Sequence, residues 1–425
     1  MAERLVNVDR TTPMLLPPDL RDWVAENDLA RLILEAVELC DLQGAPRNLR
    51  GSGSEQYPPT MMLALLIYCY ATGTFSSRRI ERATYDSVAV RYLCGNHHPD
   101  HDTIAHFRRS QGELFARCFA TVVELAREAG VLQLGAISID GTRLQGAASK
   151  RSVRTLAQIE AELKELEEQG AALLAEAEAA DGQDPDAGGT QLPAELAEAA
   201  ARKEKLLAAK AQLEERRRRA AEAGRQDGPH SARRTDKVSV SEPESRMLRT
   251  AGGGSVQGYN AQVAVDAGPS GLIVGAYLSD EPTEYGLLES GVTAVVAEAG
   301  QPTAVLVDKG YENSELIARV EERHRLTVLC PLRHRPHLEN PQQRRGRKRH
   351  VFALRQRMKA RLAEPHWQEL YRRRAVSVEP VFARMKRHMG CTQLRCWGHR
   401  AASAEWTLVC LAHNLRMLRG KWPGK

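Results

Sequence analysis

Residues 303–310 read TAVLVDKG, an apolar run that closes on Asp308 with a glycine two positions on. A short run of this kind, rich in Val, reads as a buried strand. Residues 136–140, AISID, repeat the plan earlier in the chain, and Gly141 follows Asp140 directly. Both carboxylates are therefore expected at strand ends, where a nearby glycine lets the backbone turn away. An ionised Asp beside Ile, Val or Leu is costly to bury alone, so each calls for a partner or a metal ion. For either Asp by itself, the plainer reading is a cap on the turn that follows.

Strand periodicity also marks GYNAQVAVDA (258–267) and GLIVGAYLSD (271–280), separated by Gly-Pro-Ser-Gly, the pattern of an antiparallel hairpin. Helical patterns follow over about 283–300 and 313–323, with a further strand at LTVLC, 326–330. Strands in a run, then strands alternating with helices, specify an α/β fold, a mixed αβ sheet with flanking helices. This domain takes 135–150 and 255–420. Between its two parts, Leu156, Ile159, Leu163, Leu166 and Leu173, then Leu192, Leu196, Leu206 and Leu213, predict an inserted antiparallel helical hairpin over 151–225. Its acidic first arm (Glu160, Glu162, Glu165, Glu167, Glu168) faces a second arm made basic by Arg216 to Arg219. Residues 226–254, polar and glycine-rich, read as a flexible connector.

Residues 1–130 form an all-helical N-terminal region: 28–40, a helix opened by Pro58 and Pro59, SRRIERATY capped by Ser76 or Ser77, and a last helix capped by Asp102 or Thr103 that runs towards Gly130. Short helices joined by tight turns suit a DNA reader, with Arg78 and Arg79 as contacts, and equally suit a small bundle.

The chain has 425 residues, 27% charged and 42% hydrophobic, enough for more than one domain with a core and unlike a fibre or a disordered tail. No run approaches the ~18 apolar residues of a membrane helix, and MAERLVNVDR has no apolar secretory core, so a cytoplasmic chain is expected. Eight scattered cysteines suit reduced thiols. The net charge is only +6, yet Arg333 to Arg400 holds 19 Lys or Arg against four acids. That region attracts polyanions, nucleic acid first. Within it RRGRKRH (344–350) offers Arg344, Arg345, Arg347, Lys348 and Arg349 to phosphates.

Glu379 is the only acid between Glu369 and Glu405, on a helix whose apolar stripe (Val378, Val381, Phe382, Met385) should pack on the sheet. Two Asp and one Glu converging would hold Mg²⁺, which takes oxygen ligands and keeps waters for substrate oxygens to replace, with Mn²⁺ as a substitute. A pair of such ions activates water and stabilises the leaving 3′ oxygen of a phosphodiester.

On these residues the chain resembles the insertion-sequence DDE transposases, with an RNase H-like catalytic core. The likeness rests on Tyr57-Pro58-Pro59, Ser76-Ser77-Arg78-x-Ile80-Glu81 and Asp100-His101-x-Thr103-Ile104 near the N-terminus. In the core it rests on Asp140-Gly141-Thr142, Gly258-Tyr259-Asn260-x-Gln262, Asp308-Lys309-Gly310-Tyr311, Val378-Glu379-Pro380-Val381-Phe382-x3-Lys386, Glu405-Trp406 and His413-Asn414-Leu415. It implies that Asp140, Asp308 and Glu379 are the catalytic, metal-binding triad. It also implies a signature of Tyr371, Arg374, Glu379 and Lys386, the last gripping a terminal phosphate; Arg374 stands one residue further from Glu379 than in the commonest form. Seven residues, about two turns, would put Glu379 and Lys386 on one face. Binding to terminal inverted repeats, metal-dependent end hydrolysis, strand transfer to target DNA, and a homodimer or larger synapsed assembly follow as expectations. The rivals are a catalytically silent or domesticated DNA-binding protein, and an RNase H-like nuclease without strand transfer. Caps and turn contacts account for the cluster from His97 to His106, and the spacing of His388, Cys391, Cys396 and His399 matches no common zinc finger.

Overall fold

The computed structural model describes residues 19–43, 56–181, 194–222, 237–250, 253–335 and 346–422. The N-terminal helices are α1 (Leu29–Glu38), α2 (Pro59–Ala71), α3 (Ser77–Asp86), α4 (Val88–Leu93), α5 (His101–Ser110) and α6 (Gly112–Glu128). Pro58 and Pro59 open α2, where a missing N–H costs nothing. α2 is apolar nearly all round, so it is buried nearly all round. The α5 cap is Asp100, which accepts from the N–H groups of Asp102 and Thr103, not either of those residues itself. The helical pattern also breaks at Gln111, which ends α5 and precedes α6.

The main sheet runs β4 (Arg246–Arg249), β5 (Ser255–Asp266), β1 (Ala136–Gln145), β7 (Ala304–Leu306), β8 (Thr327–Leu329), with β6 (Ile273–Ser279) also on β5. β1 is antiparallel to β5 and parallel to β7, and β7 is parallel to β8. This is the mixed αβ architecture expected of an RNase H-like core. The hairpin of 258–280 forms as β5 and β6. One expectation is corrected: β1 does not end at Asp140. Its antiparallel pairing with β5 continues through Gly141 to Gln145, because only the parallel partner β7 stops early.

Helices α9 (Leu288–Glu298), α10 (Ser314–His324), α11 (Arg347–Ala363), α12 (Pro365–Ala383) and α13 (His399–Leu418) complete the core domain. α13 is its keystone, packed on α2, α6 and β6 together. Trp406 Nε1 donates to the Gln262 carbonyl at 3.1 Å, and Asn414 satisfies both backbone groups of Ile273, at 2.9 Å and 2.7 Å. Glu405, 1% exposed, accepts from the Tyr70 hydroxyl at 2.7 Å and from the N–H groups of Arg395 and Cys396 at 2.7 Å and 2.8 Å. A buried carboxylate survives only with such partners. Through these contacts the N-terminal helices and the sheet share one continuous apolar core.

The insertion is α7 (Leu156–Asp181) and α8 (Ala194–Glu222), paired over a separate cluster of Ile159, Leu206, Ala209, Leu213 and Val238. Leu192 and the side chain of Leu196 lie outside what is described. Opposite charges join the arms as expected, but through other residues: Glu160 with Lys210 (3.1 Å), Glu162 with Arg202 (2.7 Å) and Glu167 with Lys203 (2.9 Å). Arg216 is buried against the carbonyls of Pro243 and Ser245, and Arg218 and Arg219 pair with Glu215 on their own arm. The connector reading of 226–254 is also corrected over 237–250, the rest of it except 253–254 lying outside the described residues. β3 (Lys237–Ser239) pairs with β2 (Val153–Thr155), and β4 joins the main sheet. Buried Glu242 ties this stretch to Tyr259, Ala148 and Gly398.

Candidate active site

The register of β1 with β7 is Ala136 opposite Ala304, Ile137 opposite Val305 and Ser138 opposite Leu306. Carried two residues further, the same offset would set Asp140 level with Asp308, which lies two residues past the end of β7, and the two carboxylates are close enough for Asp308 to act on the charge of Asp140. Past Leu306 the chain leaves the ladder into a single 3₁₀ turn, Lys309–Tyr311, which Asp308 caps by accepting from the Gly310 N–H at 2.6 Å. The capping role that the plainer reading gave Asp308 is therefore present.

Asp140 has a side chain 21% exposed, and its carboxyl is pushed up to about 6. Burial is the main cause; Arg374 and the Gly141 N–H draw it down, while Asp308 and Glu284 raise it again. Arg374 Nη2 donates to Asp140 Oδ2 at 2.7 Å, yet desolvation and the neighbouring carboxylates win. Glu284 is the acid that sequence reasoning missed. It lies in the loop between β6 and α9, and only the sheet order, which brings that loop to the Asp308 end, could have flagged it. Arg143 pairs with it at 2.8 Å.

Glycine keeps this corner open. A Cβ on Gly310 would stand 2.7 Å from Asp308 Oδ1 and 3.1 Å from Glu284 Oε2, so the two carboxylates flank one point. A Cβ on Gly141 would collide with Gln262 Nε2. Gln262 in turn accepts from the buried Tyr311 hydroxyl, so this polar layer backs the site.

The signature residues lie around the same strands. Tyr371 donates from its hydroxyl to the Val307 carbonyl at 3.1 Å, next to Asp308. Ser377 and Ser138 share a hydrogen bond of 2.7 Å, docking α12 on β1 beside Asp140. Lys386 is half-buried and donates to Thr142 Oγ1. Burial lowers its pKa below that of an ordinary lysine. Glu379 is exposed and makes no hydrogen bond or ion pair among the described residues. After Ala383 the chain winds as a π-helix, Arg384–His388, so seven residues no longer make two α-helical turns between Glu379 and Lys386; Lys386 reaches Thr142 on β1 while Glu379 is exposed. The structure brings together Asp140 and Asp308, with Arg374, Tyr371 and Lys386 around them, and leaves Glu379 on the outer face of α12.

Arg344 and Arg345 lie outside the described residues, as does the side chain of Arg347; Lys348 and Arg349 are exposed at the start of α11, and Arg78 and Arg79 are exposed on α3. In the cluster from His97 to His106, Asp100 caps α5 as expected, whereas His98 and His101 reach across to α3, bonding Thr84 at 3.0 Å and Glu81 at 2.8 Å. The Cys391 and Cys396 thiols are buried and pushed up to about 12.

Among the described residues no three His, Cys, Asp or Glu side chains are arranged to hold a metal ion. Asp140 and Asp308 still suit one by donor chemistry. Mg²⁺ is commonly held by one or two carboxylates, with waters and substrate phosphate oxygens completing the shell. The guanidinium against Asp140 Oδ2 marks where a cation is welcome.

Two comparisons with known families match. Residues 18–110 match a model described as Transposase domain (DUF772), and residues 301–419 match one described as Transposase DDE domain. The first covers α1 to α5 and the second covers β7 to α13, including Asp308 and the whole signature. No curated protein and no solved structure matches the chain significantly. No helix among the described residues is long and apolar enough to cross a membrane.

Proposed function

The chain belongs to the insertion-sequence DDE transposases, and from that membership we propose that it binds the terminal inverted repeats of its own element, hydrolyses the element ends and joins the freed 3′ hydroxyl to target DNA. The observation that carries the reading is the pair Asp140 and Asp308, the first within β1 and the second just past the end of its parallel neighbour β7, close enough for Asp308 to act on the charge of Asp140. We assign Asp140 and Asp308 to the divalent cation, Mg²⁺ or Mn²⁺. Bound there, the cation supplies an activated water and charge stabilisation for the leaving oxygen.

The protein's own residues do the rest by position. Tyr371 steadies the strand end at Val307, and Arg374 neutralises Asp140 until a cation replaces it. Lys386 stands on the same side of β1 through Thr142, ready to release that hydroxyl for a phosphate. Glu379 enters by its place in the family signature, on the helix that already carries Arg374 to Asp140. Reaching the pair requires the end of α12 to turn. Pro380 contributes no N–H to that helix and the next segment is π-wound, so the winding there is weakly held. Synapsis of two ends calls for a dimer or larger assembly on DNA.

The test is strand cleavage on DNA copied from the flanks of the gene. Asp140→Asn, Asp308→Asn and Glu379→Gln are each expected to lose divalent-dependent nicking while DNA binding survives. Full nicking in a variant removes that residue from the site. Nicking without joined products makes the chain an RNase H-like nuclease, and binding without nicking makes it a silent DNA-binding protein.

A further inference from the structure

A groove of about 730 Å³ runs between the segment that follows β8 and the outer side of α11. Its lining is of one sign: Arg333, His334, Arg355 and Lys359 contribute cationic or titratable nitrogen, and no acid among the described residues lines it. Beneath it lies Glu312, 1% exposed. Its carboxylate takes the Arg355 guanidinium and accepts from the Arg333 N–H at 2.9 Å, while Arg355 Nη2 donates to the Arg333 carbonyl at 2.5 Å. The buried charge is spent on holding the groove wall to α11. Lys359 is exposed and has no ion-pair partner among the described residues.

One wall of the groove touches the turn beside Asp308. Arg333 Nε donates to the Lys309 carbonyl at 2.8 Å, one residue from Asp308, and the Cys330 thiol lies 3.4 Å from the Asp308 carbonyl. Arg333, which lines the groove, is thus in direct contact with the turn that Asp308 caps. The rest of the lining is apolar apart from Gln356, with Pro331, Leu332 and Leu362 among it. Point charges on an apolar wall contact phosphates and carry no sequence information.

We infer that this groove holds the phosphodiester backbone of DNA taken without regard to sequence, the target strand, and feeds it to Asp308. The inference rests on the transposase reading of Asp308. It assigns the target to the α11 side of the sheet.

The experiment is a binding titration of the full chain in Ca²⁺, over a salt series, against two labelled duplexes, one of unrelated mixed sequence and one copied from the gene's flanks. The variants are Lys359→Ala and Arg333→Ala, with Lys164→Ala on the inserted hairpin as a charge-matched control. Each groove variant is expected to weaken binding to the mixed duplex roughly 3- to 10-fold and to lower its salt slope by about 0.9 for each phosphate it no longer neutralises. The control is expected to leave both unchanged. Lys359 is exposed, so its variant tests the groove even if Arg333→Ala disturbs the turn at Lys309. Wild-type affinity and slope in Lys359→Ala, with DNA still bound by the wild-type chain, overturn the groove. A loss confined to the flanking duplex overturns its assignment to target DNA. If the wild-type chain binds neither duplex, the transposase activity itself falls, and the groove with it.

Discussion

At the scale of single residues the site is governed by a contest over Asp140. Burial opposes its charge, Arg374 favours it, and the acids Asp308 and Glu284 oppose it again; the sum lifts its pKa from 3.8 to about 6. In the metal-free chain the folded state therefore binds a proton that the unfolded chain releases between those two values. Over that window the group makes the folded state less stable as pH rises, by about 2–3 kcal/mol in all. Denaturant unfolding of the wild-type chain in chelator, from pH 4 to pH 7, is expected to show that slope, and Asp140→Asn to lack it. Identical pH profiles would contradict the burial argued for Asp140. The two aspartates were legible in the sequence because an apolar run ending in Asp is unusual. Glu284 was not, since it arrives from a loop and only three-dimensional closure brings it near. The partners of Lys386 and Arg374 were hidden for the same reason: a helix face can be read from spacing, but what it faces cannot.

At the scale of elements, periodicity carried most of the information. The two-residue alternation of β5 and β6 and the apolar runs of β7 and β8 appear where the pattern put them. What failed were interruptions that no period announces. Gln111 breaks one helical pattern into α5 and α6, and the π winding after α12 undoes an argument that assumed 3.6 residues per turn throughout. Strand length was misjudged where pairing, not composition, extends β1 past Gly141. The docking of α13 on β6 offers a test at this scale. His413, 1% exposed, lies 3.3 Å from the Gly271 carbonyl, and burial together with Arg384 and Arg416 lowers its pKa from 6.5 to about 4. Between those values the unfolded chain takes up a proton that the folded chain refuses, so stability falls as pH drops. The full loss is on the order of 3 kcal/mol. Replacing His413 with Gln is expected to flatten that part of the stability curve, measured by thermal unfolding at fixed ionic strength. An unaltered acid slope would show that other groups carry it.

At the scale of the whole molecule, the N-terminal helices and the C-terminal helix α13 share one core with the sheet. Helices from the first matched segment and α13 from the second are locked by Glu405, Tyr70 and Arg108, so the region that first reads as a separate helical reader is built into the catalytic body. The α7–α8 hairpin stands apart on its own small cluster. The basic excess of the C-terminal third lies largely on α11, α12 and the turn after it, and from it Arg374 reaches Asp140. The family was legible from ordered motifs; the shared core was not, because local patterns do not reveal which apolar faces meet. We propose that this architecture serves one arrangement, Asp140 and Asp308 brought together to receive a divalent cation. Mn²⁺ binding to the DNA-bound chain, followed by electron paramagnetic resonance, tests it directly: the wild-type chain is expected to take up the ion and both Asp140→Asn and Asp308→Asn to lose it, whereas undiminished uptake in the two variants would contradict the account.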